Sequence, residues 1–253
     1  MHFTIIVKGM PLLTYIKGIP EFTHQYATMR RQANASQEAF PFGKLYPCLQ
    51  DKNQQSGVLV EHYFYQDLHV ARKIFQNNPE KHVDIGSRVD GFVAHVASFR
   101  DIEIMDVRDL NIAFPSIRFV RADLSAKDFS LIGYCDSLSC LHALEHFGLG
   151  RYGDPVDYEG HLVGWRNMSR MVRQGGKFYF SVPIGEQRIE FNAHRVFSLQ
   201  YLLKLIEPSY AIDSFAYIND RGELFADARL DGNTIGNNCG CHYGCGIFEL
   251  TRR

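Results

Sequence analysis

The sequence predicts an α/β fold: a mostly parallel sheet with helices on both faces and an antiparallel strand at the C-terminal end. Three observations predict it. From about residue 64 onward, short apolar runs alternate with amphipathic helical stripes, the pattern of βαβ units. Chemically distinctive stretches stand directly after four of those runs, at Gly86, Asp106, Asp123 and residues 141–146. The chain of 253 residues, 45% hydrophobic and 22% charged, is also long enough to bury a core between such layers.

The elements follow in order. Residues 4–7 (TIIV) read as a strand and residues 21–31 as a short helix, after which Pro41, Gly43 and Pro47 break the pattern and polar residues 51–57 form a loop. We therefore expect an N-terminal extension or cap over residues 1–60 and the sheet domain over 61–253. Asp67 reads as an N-cap for a helix presenting Leu68, Ala71, Ile74 and Phe75, stopped at Asn78-Pro79. A first strand at residues 83–85 precedes a helical face of Phe92, Val93, Val96 and Ala97. Strands follow at 102–105, around 117–120 and at 136–141. Leu162, Trp165, Met168, Met171 and Val172 share a helical stripe closed by Gln174-Gly175-Gly176. Phe178, Phe180 and Val182 alternate as a fifth strand. Ser198 caps a helix with Leu199, Leu202, Leu203 and Ile206 at i, i+3, i+4 and i+7, and strands at 211–218 and 246–251 close the chain.

Composition excludes several classes. A net charge of −1 argues against a broad phosphate-binding face, so no nucleic-acid partner is expected. No apolar run approaches the roughly 20 residues of a membrane span. The N-terminal stretch lacks a basic region and a small-residue cleavage site, so no signal peptide is expected. Six cysteines are too few for a disulfide scaffold, which points to free thiols in the cytoplasm.

In an open parallel sheet, ligands bind beyond the carboxyl ends of the strands where strand order reverses. Asp84-Ile85-Gly86-Ser87-Arg88-Val89-Asp90-Gly91 lies between a strand and a helix, and its glycine permits close backbone approach to a ligand. Asp106 ends the next strand, where a carboxylate accepts both hydroxyls of a ribose, and Asp123 follows the third strand, within reach of a base amino group. Taken singly, Gly86 also fits a turn and each Asp a helix cap; the joint spacing favours a ligand.

The stretches HVDIGSRVDGFVAHVA, EIMDVRDL, FVRADLSA, DSLSCLHALEHFGLG and RMVRQGGKFYFSVPIG make the sequence similar to the Rossmann-like class I S-adenosylmethionine-dependent methyltransferases, over about residues 64–206. RYGDP at 151–155 and FNAHRVFS at 191–198 resemble, more narrowly, a bacterial methyltransferase-like family associated with surface-polysaccharide biosynthesis. The resemblance implies S-adenosylmethionine over the turn of Asp84, Gly86, Ser87 and Arg88, with Asp106 and Val107 at the ribose and Asp123 with Leu124 edging the adenine. It also implies a carbohydrate or nucleotide-sugar acceptor methylated on oxygen, either a hydroxyl, which needs a base or metal, or a carboxylate, which needs only positioning. The turn departs from the family pattern, because Arg88 and Asp90 stand where later glycines belong. Arg88 either pairs with the cofactor carboxylate or obstructs the site.

His142-Ala143-Leu144-Glu145-His146 follows the fourth strand. A helix starting here would put His142, Glu145 and His146 on one face. Three chemical readings compete. H-x-x-E-H is the inverted zinc-peptidase signature, which would make the chain a zinc-dependent hydrolase. The cluster also resembles an E-x-x-E-H metal site of some methyltransferases, with His142, Glu145, His146 and His194 as ligands of a divalent metal. Alternatively, His142 packs on the adenine while Glu145 or His146 acts as general base and His194 contacts substrate. Arg151 and Tyr152, in a glycine-rich loop, and Arg195, with Arg188 and Asn192 nearby, are candidates for binding the acceptor. Cys239, Cys241, His242 and Cys245 invite a zinc reading, but their spacing fits compact thiols better. A non-catalytic binding protein that has lost the cofactor is the remaining alternative.

Overall fold

The computed structural model describes residues 12–37, 40–49 and 61–253. The chain divides into two units, Met1–Leu59 and Val60–Arg253. In the first, helix α1 (Leu12–Ala35) is longer than the 21–31 expected, because it continues through Pro20. A proline removes a helical N–H, which is why the sequence pattern stops there. Residues 40–49 carry neither helix nor strand, and the Arg30 guanidinium lies 4.5 Å over the Phe42 ring. The strand expected over 4–7 and the loop over 51–57 lie outside the described residues.

The second unit begins with α2 (Glu61–Asn77), β1 (His82–Ile85) and a π-helical turn, Val89–Val93, that runs into α3 (Ala94–Ala97). Strands β2 (Ile102–Asp106), β3 (Ile117–Arg121) and β4 (Cys135–Leu141) follow, joined without intervening α-helices. Next come α4 (Gly160–Met171), β5 (Val172–Ile184), a hairpin of β6 (Arg188–Glu190) and β7 (His194–Val196), and α5 (Leu199–Ile206). The chain closes with β8 (Tyr210–Ile218), β9 (Leu224–Phe225), α6 (Gly232–Gly236) and β10 (Gly244–Arg252).

Eight strands form one sheet in the order β3-β2-β1-β4-β5-β10-β8-β9. The five from β3 to β5 are parallel, and β10 runs antiparallel to both β5 and β8. This is the mostly parallel α/β sheet that the strand–helix alternation predicts, in the Rossmann-like methyltransferase arrangement that the resemblance implies. Strand order reverses at β1, which has β2 on one side and β4 on the other, so the crevice belongs beyond Ile85, Asp106 and Leu141.

Each face of the sheet buries its own core. On one, Val83, Ile85, Leu138, Phe178 and Phe180 meet Trp165 and Met168 of α4 and Leu199 and Leu202 of α5. The Trp165 ring lies 5.1 Å from Phe180 and 5.7 Å from Tyr210, edge to face, a geometry that adds about 0.5–1.5 kcal/mol per pair beyond buried area. On the other, Ile102, Ile104 and Tyr179 meet Val70 and Ile74 of α2 and Phe92, Val93 and Val96.

Three local expectations need correction. Asp67 does not cap α2; the helix already includes Glu61, and Asp67 lies on its buried face. The buried face runs through Asp67, Val70, Ala71 and Ile74, which leaves Leu68 and Phe75 exposed. Val172 is not the last helical residue, because its backbone is already extended and opens β5. The β6–β7 hairpin carries no sequence signal, because each of its strands is only three residues long. By contrast, Ser198 caps α5 as expected, accepting from the Tyr201 N–H at 3.2 Å.

Candidate functional site

Beyond the reversal point lies an open cleft. Gly86, Asp106, Val107, Asp123, Leu124, His142, His146 and Tyr152 line it, as do Arg108, Ser125, Phe147 and Asp154, which the sequence reading did not single out. Asp84, Ser87, Arg88, Glu145, Arg151, His194 and Arg195 do not line it.

The floor begins at the end of β1. Gly86 has φ +71°, and a Cβ there would sit 3.1 Å from Ala143 Cβ and 4.0 Å from Asp106 Oδ2. A side chain would therefore fill the space between two strand ends. Behind this turn, buried Asp84 accepts from the Ser87 N–H at 3.0 Å and the Ser87 hydroxyl at 2.9 Å. The Ser139 hydroxyl also donates to Asp84 and accepts from His82 Nε2 at 3.2 Å, while His82 Nδ1 pairs with Ser137 Oγ at 2.7 Å. Burial pushes the Asp84 carboxyl up to about 6, against the hydrogen bonds from Ser139 and Ser87. Burial likewise holds His82 down at about 3, so the ring is neutral. Asp84 thus shapes the turn from behind rather than touching the cleft.

The far end of the same loop is pinned by Asp67. It accepts from Gln66 Nε2 at 3.0 Å and from the Phe92 N–H. A Cβ on Gly91 would lie 2.7 Å from Asp67 Oδ2, so the missing side chain admits the carboxylate. Arg88 folds onto Asp90 instead, Nε to Oδ1 at 3.0 Å and Nη2 to Oδ2 at 2.7 Å, both side chains exposed. The guanidinium therefore neither plugs the cleft nor lines it, which corrects its expected place beside the cofactor.

At the end of β2, Asp106 faces a different arginine. Arg108 Nε donates to Oδ1 at 3.0 Å and Nη2 to Oδ2 at 2.7 Å, while the Arg108 backbone N–H also reaches Oδ1 at 2.8 Å. The Asp106 carboxylate raises the Arg108 pKa further. At the end of β3, Asp123 Oδ1 accepts from the Ser125 N–H at 2.8 Å and hydroxyl at 2.6 Å.

The H-x-x-E-H stretch is not helical as expected. His142 has φ +52°, a left-handed conformation that ends β4, and its N–H continues the ladder to Ser181 O at 3.1 Å. Only a single 3-10 turn, Leu144–His146, follows. His142 Nδ1 meets Glu145 Oε1 at 2.9 Å. Burial alone would push this imidazole down, but Cys245 beside it and the Glu145 carboxylate hold it well above its ordinary range. Glu145 is buried, and its placement serves His142. His146 Nδ1 donates to Ala193 O at 2.7 Å, which leaves Nε2 with the lone pair. Burial lowers the His146 pKa below its ordinary value despite the nearby Glu145, and Arg151 adds to the lowering.

His194 lies on the hairpin, 3.1 Å from Glu190 Oε2 and with its ring 5.0 Å from Tyr243. Among the described residues, no group of three or more His, Cys, Asp or Glu side chains could hold a metal ion. The four-ligand site of His142, Glu145, His146 and His194 is therefore not assembled, because the left-handed turn at His142 replaces the helix that would have aligned them. The same holds for Cys239, Cys241, His242 and Cys245. Burial pushes Cys241 up to about 12, and Cys245 is directed at Gln66 Oε1, 3.5 Å away.

The glycine-rich loop is fastened rather than free. Asp154 accepts from the N–H groups of Gly148, Gly150 and Tyr152 at 2.8, 3.3 and 3.2 Å. Arg195, expected to bind substrate, is buried and donates to the carbonyls of Phe147 and Tyr158, at 2.5 and 3.2 Å. Arg151 Nη1 donates to Ala193 O at 3.0 Å. Tyr152 places its ring 5.4 Å from His146, edge to face, and 4.5 Å under the Arg108 guanidinium.

Many solved structures resemble this chain, three of which follow. The MccD protein gives a TM-score of 0.51 at 10% identity, over 75% of this chain and 96% of that one. N-methyltransferase NodS from Bradyrhizobium japonicum WM9, in complex with S-adenosyl-L-homocysteine, gives 0.48 at 11% identity, over 76% and 89%. A TehB-like SAM-dependent methyltransferase from Corynebacterium glutamicum ATCC 13032 Kitasato gives 0.49 at 14% identity, over 92% and 100%. At such identities the similarity is one of fold. No curated protein matches in sequence. A family model matches residues 103–232, from the middle of the sheet to α6, and the chain belongs to that family, described as Caenorhabditis protein of unknown function, DUF268.

Proposed function

We propose that the chain is an S-adenosylmethionine-dependent methyltransferase that methylates an oxygen of a carbohydrate or nucleotide sugar. One observation carries the cofactor half of this reading: the Asp106 carboxylate, at the reversal point, receives two parallel donors at 3.0 and 2.7 Å. The Arg108 fork stands there in the places that the two hydroxyls of a ribose would take. Gly86 supports the same reading, since a Cβ would fill the space between Ala143 and Asp106. Val107 and Leu124 offer apolar edges for a base, and Asp123 a carboxylate for its amino group. The acceptor half rests on the narrower resemblance carried by residues 151–155 and 191–198. We place the enzyme in the cytoplasm with a small-molecule substrate and read residues 1–60 as an N-terminal extension or cap. Among the described residues, no helix is long and apolar enough to cross a membrane.

When bound, the cofactor supplies a sulfonium methyl already activated for transfer, so the protein has to align the acceptor and take its proton. His146 suits the second task. It lines the cleft, is held neutral by burial, and keeps Nε2 unprotonated because Nδ1–H is committed to Ala193. His142, backed by Glu145 at 2.9 Å, lines the cleft beside it together with Phe147 and Tyr152.

Calorimetric titration with S-adenosylhomocysteine tests the reading. Micromolar binding, lost in Asp106→Ala, is expected. Absence of binding at millimolar ligand overturns the enzyme assignment in favour of a non-catalytic relative.

A further inference from the structure

Four side chains cross the mouth of the cleft in contact: Asp106, Arg108, Tyr152 and His146. The guanidinium of Arg108 lies along the Asp106 carboxylate and 4.5 Å over the Tyr152 ring, whose edge meets His146 at 5.4 Å. Tyr152 is itself held by the Asp154 carboxylate through its backbone N–H. Arg108 is therefore aimed by two partners rather than left to wander as a surface side chain.

We propose that Arg108 is a built-in competitor for Asp106, which sets the affinity and the salt response of nucleoside binding. The inference rests on the cofactor reading above. A carboxylate oxygen offers about two acceptor directions, and the backbone N–H of Arg108 uses one on Oδ1 at 2.8 Å. The guanidinium takes one more on each oxygen. A vicinal diol needs those same positions, so it binds only as the guanidinium departs. The backbone N–H stays and keeps the carboxylate facing the cleft. Departure is feasible because the Arg108 side chain is 54% exposed and returns to water, while the diol hydroxyls replace the donors that Asp106, only 15% exposed, gives up. The Tyr152 ring gives the released guanidinium a place at the mouth.

The competition is electrostatic and half in solvent, so salt weakens it. S-adenosylhomocysteine has no net charge near neutral pH and gains no compensating salt effect. Its affinity for the wild-type chain should accordingly tighten with salt.

The test is calorimetric titration of the full chain and of Arg108→Met with S-adenosylhomocysteine, at about 0.1 M and about 1 M salt, over which the screening length falls from about 10 Å to about 3 Å. Methionine keeps the apolar stem and removes the fork. Expected is a three- to fivefold tighter Kd for R108M at the lower salt, about what a half-exposed pair is worth, with a flat salt response where the wild type tightens. Thermal melting of both proteins checks that the substitution leaves the fold intact. If the wild type binds and R108M binds equally or more weakly, Arg108 is no competitor, and the cofactor reading stands without it. If neither protein binds, the cofactor reading falls and this inference with it.

Discussion

The carbonyl of Ala193 accepts the Nδ1 proton of His146 across 2.7 Å, so the hairpin that follows β5 chooses the tautomer of a histidine that follows β4. Two segments separated by 47 residues thereby define one basic nitrogen at the edge of the cleft. Its proton affinity is lowered by burial, which keeps the base form available at neutral pH.

Replacing that base should separate chemistry from binding. His146→Gln is expected to lower methyl transfer to a hydroxyl acceptor by about 10²–10⁴, with S-adenosylhomocysteine affinity unchanged by calorimetry. In the wild type, the rate should hold below pH 6.5 and fall only as pH drops through the lowered His146 pKa. A His146→Gln enzyme with undiminished turnover would exclude the imidazole from proton transfer.

Acid stability should have a two-stage limb. His82 has a folded pKa of about 3 against 6.5 unfolded, so its contribution is complete above 6.5 and is lost as pH falls towards 3, by about 5 kcal/mol at most. Asp84 acts with the opposite sign. Its folded pKa of about 6 lies above 3.8, so folding gains about 3 kcal/mol as pH falls from 6 to 3.8. The two nearly offset between 6 and 4, and stability then falls by about 1.4 kcal/mol per pH unit until pH 3. Urea midpoints by circular dichroism at pH 7, 5, 4 and 3.5 would show this; a uniform decline from pH 6.5 would contradict it.

The hydroxyl between those two groups should matter more than its size suggests. Ser139→Ala leaves His82 Nε2 without a partner and removes one of the two hydroxyl donors to Asp84 Oδ1, the Ser87 hydroxyl remaining, in a fully buried tract. A loss of about 1–3 kcal/mol is expected by denaturant melting, together with a weaker hold on the Gly86 turn. Ser139→Cys should recover little of it, since a thiol is a poor donor.

Two loop glycines offer a paired test. Gly148 has φ +74°, and a Cβ there would sit 2.1 Å from the Asp157 carbonyl oxygen, whereas Gly153 at φ +86° has nothing within 4 Å. Gly153→Ala should cost only the left-handed backbone, about 1–2 kcal/mol. Gly148→Ala should cost about 3 kcal/mol or more, because the loop must lift off the start of α4. Equal losses in the two variants would show that crowding at Gly148 is relieved elsewhere.

Periodicity and strand-end positions made much of this legible in advance. The parallel strands, the Ser198 cap and the placement of Gly86, Asp106 and Asp123 at strand ends all follow from patterns within a dozen residues. What stayed hidden depends on partners far along the chain. Asp67 looks like a cap by sequence because it precedes an apolar residue, yet its carboxylate is spent on the Phe92 N–H. Arg195 looks like a ligand for an anion, yet carbonyls at Phe147 and Tyr158 consume its donors. H-x-x-E-H looks like a helical face until His142 turns left-handed, which no local propensity announces. Arg108 carries no signal at all, since its pairing with Asp106 exists only once the turn after β2 has formed.

The loop between β1 and α3 is gripped from behind by two acids, one from its own strand and one from a helix that precedes it. A cradle specified by such anchors does not need a run of glycines along its length. Searches keyed to glycine spacing would pass over chains of this design, whereas a buried aspartate at each end of the loop would identify them.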